Sequence, residues 1–146
     1  MPKTLDNPSD YDVAIRRSKI HGYGVFTKKD IKKGTKILPY NYKKKNVMKW
    51  LDFKAKYGDD VRYTYMNRRK WEIICVKENR NIVTYINDGR PKENCMLKGY
   101  ALYAKRDIKK GEELTIRYTL YHPTTFNKKK KTVKKTLKNP TKSKRP

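Results

Sequence analysis

Hydrophobic positions along the chain come in short runs broken by glycine, proline, asparagine and lysine, the rhythm of many brief strands. Val13-Ala-Ile15 and Gly24-Val-Phe26 read as strands on either side of a turn at Gly22 and Gly24. Thr35–Tyr40 reads as a third, with Pro39 placing it at a sheet edge or a bulge. Between Lys43 and Asp60 the rhythm changes. Val47, Trp50, Leu51 and Ala55 recur at helical spacing, which predicts a short helix ending before Gly58. Arg62–Tyr65 and Trp71–Val76 are β-rich runs around a turn at Asn67-Arg68-Arg69; Tyr63 and Tyr65 alternate in the first, so one of them faces inward. Asn79-Arg80-Asn81 punctuates the chain before the apolar run Ile82–Ile86. A strand pair around Gly99, between Asn94 and Ala104, and a closing strand over Glu113–Tyr118 complete the set. Beyond His122-Pro123 the apolar content falls to Phe126, Val133 and Leu137, too little to bury a core, so that segment is expected to be mobile.

One phrase occurs twice. Phe26-Thr-Lys-Lys-Asp-Ile-Lys-Lys-Gly-Thr-Lys-Ile37 returns as Tyr103-Ala-Lys-Arg-Asp-Ile-Lys-Lys-Gly-Glu-Glu-Leu114. Each copy reads as strand, tight turn, strand. Gly34 and Gly111 supply the positive φ where the chain reverses, and Asp30 and Asp107 are expected to bond their own turn's backbone. Ile31 and Ile108 are expected to tuck the turns against the core.

At 146 residues the chain is long enough for one domain with a real core. No apolar stretch approaches membrane-span length and the N-terminus lacks a signal-peptide core, so the expected location is nuclear or cytoplasmic rather than secreted. Cys75 and Cys95 with His21 and His122 are too scattered for a zinc cluster, so no structural metal is expected and the cysteines read as small buried hydrophobes. The net charge of +25 divides unevenly: residues from Lys128 onward hold ten Lys and Arg and no acids, and the remainder holds 29 bases against 14 acids. Both parts suit an acidic partner, DNA or a nucleosome met through the basic tail above all. A solvated, lysine-enriched surface is the plain alternative.

His21-Gly22-Tyr23-Gly24-Val25-Phe26, then Tyr85-Ile86-Asn87-Asp88-Gly89, then Gly111-Glu-Glu-Leu-Thr-Ile-Arg-Tyr118 form an ordered set. This set resembles the SET domain of protein lysine methyltransferases over roughly residues 12–121. The resemblance implies a mostly β fold of several small sheets, a short helical insertion at about 43–61 and a pseudoknot-like C-terminal crossing. Residues 1–11 become a polar lead-in and 122–146 a basic tail. It implies S-adenosylmethionine as cofactor and a basic protein as substrate, a histone tail being the first guess. Without zinc-bearing flanking modules, the chain looks most like the compact SET proteins of some large DNA viruses and bacteria.

Methyl transfer to lysine needs a neutral amine, a narrow dry channel and an aligned sulfonium, work suited to tyrosine hydroxyls and carbonyls. By the resemblance, Tyr118 is the catalytic tyrosine and Tyr40 a channel tyrosine acting with it. Gly22, Tyr23, Gly24 and Asn87 hold the methionine end of the cofactor, and glycine there lets the backbone approach a ligand. Asp88 stands where the family usually has histidine, and Gly89 where it has serine; the resemblance implies that Asp88 still binds the cofactor, its main chain contacting the adenine. Asn94 is expected to pin the C-terminal crossing, and Tyr121 or Phe126 to cover the cofactor. Tyr63, Tyr65 and Ile116 are substrate-channel candidates, and Asp59-Asp60 with Glu112-Glu113 are candidates for an acidic strip facing a basic peptide. Asn87-Asp88-Gly89 is also a good turn in its own right. Two other readings stay open: a SET-fold binding module with weak or no catalysis, and a small basic nucleic-acid-binding protein.

Overall fold

The computed structural model describes residues 2–118; Tyr121, Phe126 and the basic tail lie outside them. Among the described residues, ten short strands and one α-helix follow in order: β1 (Val13–Arg17), β2 (Tyr23–Thr27), β3 (Lys36–Pro39), β4 (Val47–Lys49), α1 (Trp50–Tyr57), β5 (Thr64–Asn67), β6 (Glu72–Cys75), β7 (Asn87–Asp88), β8 (Cys95–Lys98), β9 (Ala101–Ala104) and β10 (Glu113–Ile116). They form two compact units. The first holds residues 2–43 and Glu78–Arg117, the second Lys44–Lys77 together with Tyr118.

In the first unit one sheet has the order β1-β2-β10-β7 and another β3-β9-β8. The last strand is thus inserted between early ones: β10 runs antiparallel to β2 and parallel to β7. Apolar side chains from both sheets, among them Val13, Val25, Leu38, Leu102 and Leu114, are completely covered. β3 is an edge strand, which tolerates Pro39, and its irregularity falls between Lys36 and Leu38. Gly99 and Tyr100 both take positive φ, giving the two-residue reversal between β8 and β9. Ile82–Tyr85 is a turn of 3-10 helix rather than a strand, capped by the Asn81 side chain, which accepts from Thr84 N at 3.1 Å.

The repeated phrases dock on each other. Ile31 and Ile108 exchange both backbone hydrogen bonds at 2.8 Å, and both side chains are buried. Asp30 accepts from Lys110 N, and Asp107 from Lys33 N, each at 2.8 Å. Each aspartate therefore holds the other copy's turn instead of its own, because the reciprocal Ile31–Ile108 bridge brings the opposite turn within reach. Gly34 and Gly111 have φ +88° and +93°, as turn reversal requires.

The second unit is a three-stranded sheet, β4-β6-β5, with α1 packed beside it. Its helix begins at Trp50, after Val47 has already been used in β4, so the buried face differs from the expected one. Phe53 is fully covered and packs with Trp50, Tyr57, Val61 and Ile73, whereas Leu51 is 78% exposed. Gly58, at φ +67°, ends the helix. Tyr63 falls before β5 with φ +62°, so the expected alternation with Tyr65 is broken, and both are half-buried.

Cys75 and Cys95 are buried and form no disulfide; burial pushes the Cys95 thiol up to about 12. No helix among the described residues is long and apolar enough to cross a membrane.

Candidate active site

The segment from Ser18 to Gly24 turns tightly into β2 and is held there by two distant side chains. Asn87, buried at the start of β7, directs its amide nitrogen at His21 O (3.0 Å), Tyr23 O (3.1 Å) and a Glu113 carboxylate oxygen (3.0 Å). Ser18 Oγ donates to the same carboxylate, 2.9 Å from each oxygen, and accepts from the Ile20 and His21 amides. Among the described residues, two carbonyls and two carboxylate oxygens therefore share three side-chain hydrogens, two from Asn87 and one from Ser18. Such a surplus of acceptors suits a positively charged donor, so these oxygens fit the ammonium-bearing end of a methionine-like ligand.

The two glycines do different work. A Cβ on Gly22 would meet nothing within 4 Å, and the residue is needed for its φ of +47°. On Gly24 a Cβ would lie 2.1 Å from Glu113 Oε2. The space expected to admit a ligand at Gly24 is filled by the protein's own carboxylate, which is what brings Glu113 against the turn. Tyr23 is exposed between them.

β10 is gripped on its other side. Asn94, 3% exposed, donates to Glu113 O (2.9 Å) and accepts from Thr115 N (2.8 Å), so one amide reads the strand's backbone in both directions. Thr115 also presses on Gly89, where a Cβ would lie 2.4 Å from its side chain. Asn87-Asp88 is accordingly a strand segment in register with Thr115 and Ile116, and the reversal comes later, with Lys92 N bonded to Gly89 O. Buried Glu93 accepts from Lys105 Nζ at 2.7 Å and Arg117 Nε at 3.2 Å. Those hydrogen bonds, Lys105's first, hold its carboxyl down at about 2.

The first unit thus brings together Gly22, Tyr23, Gly24 and Asn87, with Asp88 paired beside Ile116. Asp88 turns its carboxylate onto Arg90, accepting from the backbone amide at 3.0 Å and from both the Nε and the NH2 of the guanidinium. Ile116 is buried at the end of β10, and Tyr40 is buried just past β3 with its amide bonded to Tyr100 O at 2.7 Å. Tyr118, half-buried, follows Arg117 two residues beyond β10 rather than within it. Tyr63 and Tyr65 belong to the second unit.

There, sequence reading missed Lys77. Its Nζ lies 5.9, 5.4 and 5.8 Å from the ring centres of Phe53, Tyr57 and Tyr63. It donates to Arg62 O at 2.7 Å and sits 3.5 Å from Asp60. Burial pushes this ammonium's pKa down, against the pull of Asp60. A lysine in a lysine-rich chain carries no local signal of burial. The acids expected to form an acidic strip all have partners in the fold. Asp60 is paired with Arg62 and Lys77, Asp59 with Lys54, Glu112 with Arg106, and Glu113 is taken by Ser18 and Asn87. In so basic a chain the few acids are drawn to partners close by.

Compared with known families, residues 22–119 match the model of the SET domain. No curated protein matches the chain.

Proposed function

The chain belongs to the SET-domain family, whose match spans more than half of it, and from that premise we propose that it is a protein lysine N-methyltransferase acting on a basic protein, a histone tail being the first substrate to try. Members of the family are generally methyltransferases and typically use S-adenosylmethionine. The observation that carries the reading is the acceptor-rich turn at His21–Gly24, built by Asn87, Ser18 and Glu113 exactly where the family motif lies.

In this reading His21 O, Tyr23 O and the Glu113 carboxylate receive the cofactor's ammonium, with Asn87 keeping the turn in shape and Asp88 lying alongside. The cofactor supplies an electrophilic methyl on a sulfonium. The Tyr118 hydroxyl orients the lysine amine, and Tyr40 shapes the channel. The family resemblance assigns Tyr63 and Tyr65 to the substrate channel and Tyr121 to the cofactor site. Ile116 has no hydroxyl to anchor a water beside the amine, which leaves a methylated amine room to rotate and react again; the product is di- or trimethyl-lysine.

Calorimetric titration with S-adenosylmethionine tests the binding half of the proposal. A saturable heat and a rise in melting temperature are expected; no response at millimolar cofactor from folded protein contradicts it. A binding module without catalysis is the second reading, favoured by Asp88, whose carboxylate is committed to Arg90 where the family usually has histidine. Bound cofactor without methyl transfer would identify that case.

A further inference from the structure

The reciprocal docking of the repeated turns brings two lysine-rich stretches together. Lys28, Lys29, Lys32 and Lys33 from the first copy and Lys105, Arg106, Lys109 and Lys110 from the second are all exposed. The Ile31–Ile108 bridge and the crossed Asp30–Lys110 and Asp107–Lys33 bonds fix the two turns against each other. Those bonds also spend the turns' two aspartates on backbone amides of the opposite copy. Lys29, Lys105 and Arg106 have carboxylate partners in Asp12, Glu93 and Glu112. Lys28, Lys32, Lys33, Lys109 and Lys110 form no ion pair among the described residues.

We propose that these paired turns form a docking surface for the phosphate backbone of double-stranded DNA, distinct from the basic tail and independent of methyl transfer. Charge is all the surface offers. Between Lys28 and Lys36, and between Lys105 and Glu112, the only apolar side chains are Ile31 and Ile108, and both are buried. It therefore has no wedge for a membrane and no apolar anchor for a protein partner. Neither stretch holds an aromatic residue, so it lacks the stacking platform with which proteins hold single-stranded bases. What remains is a set of exposed lysines on two mutually fixed turns, suited to a regular polyanion whose binding releases counterions. The turn geometry matters because it holds two Lys-Lys pairs, Lys32-Lys33 and Lys109-Lys110, in fixed relation without ordering long loops on binding.

The test uses the full chain and fluorescence anisotropy with a mixed-sequence DNA duplex over a range of salt concentrations. One variant carries K32Q, K33Q, K109Q and K110Q. A control carries K19Q, K44Q, K45Q and K98Q, four lysines that are also exposed and remove the same charge. If each turn lysine meets one phosphate, the slope of log affinity against log salt falls by about 3–4 in the turn variant. Its affinity at low salt should drop at least tenfold more than the control's. Equal losses in the two variants would mean a diffuse field of charge and overturn the proposal. So would wild-type binding by the turn variant, or a loss confined to single-stranded DNA or to phosphatidylserine vesicles.

Discussion

In the proposed reaction Tyr118 and Asn87 act by different means. Tyr118→Phe removes one hydroxyl and almost no volume, so folding and cofactor affinity are expected to hold. If the hydroxyl aligns the amine in the transition state, single-turnover methyl transfer falls about a hundredfold, near 3 kcal/mol. Undiminished transfer by this variant would move the active site elsewhere. Asn87→Ala acts through the turn: it strips the Nδ2 hydrogens from His21 O, Tyr23 O and Glu113. The expected cost is about 1–3 kcal/mol of stability together with weaker cofactor binding, read by chemical denaturation and calorimetry. Gly22 was legible in sequence because its positive φ answers a local demand. The reason for Gly24 was not. Ser18 and Glu113 meet across 95 positions of sequence, and no spacing rule joins them.

Glu93 ties the end of β10 to the segment after β9 through Arg117 and Lys105. Its pKa lies at about 2 in the fold, against a usual value of 4.5. Above pH 4.5 the carboxylate is charged in both folded and unfolded chains and its contribution is complete; below that the unfolded chain takes up the proton first, and the contribution is lost as pH falls toward 2. Melting temperature should therefore drop across that window in the wild type and less steeply in Glu93→Gln. In the second unit, Lys77→Met keeps the aliphatic stem inside the ring cluster and removes the ammonium. The loss of its bond to Arg62 O and of its ring contacts should cost about 1–3 kcal/mol by denaturant titration. At this scale the sequence revealed most strands, the repeat and the helix stop at Gly58. It misplaced the helix face, because β4 had already consumed Val47 and Phe53 took the buried position instead of Leu51. It also left each aspartate in its own turn, since a repeat in sequence says nothing about which copy docks on which.

For the whole molecule, the mostly β fold of small sheets was readable because three motifs stand in order, and order survives where individual spacings drift. Charge was readable only as a total. Its distribution over paired acids, a half-buried Lys77 and a basic pair of turns depends on contacts distant in sequence. The central claim is methyl transfer itself. Full-length protein with radiolabelled S-adenosylmethionine, core histones and a lysine-peptide array provides the measurement, with mass spectrometry of the labelled residue. The account predicts label on lysine, carrying two or three methyl groups when enzyme is in excess. Folded protein that retains the cofactor but labels no lysine would contradict it.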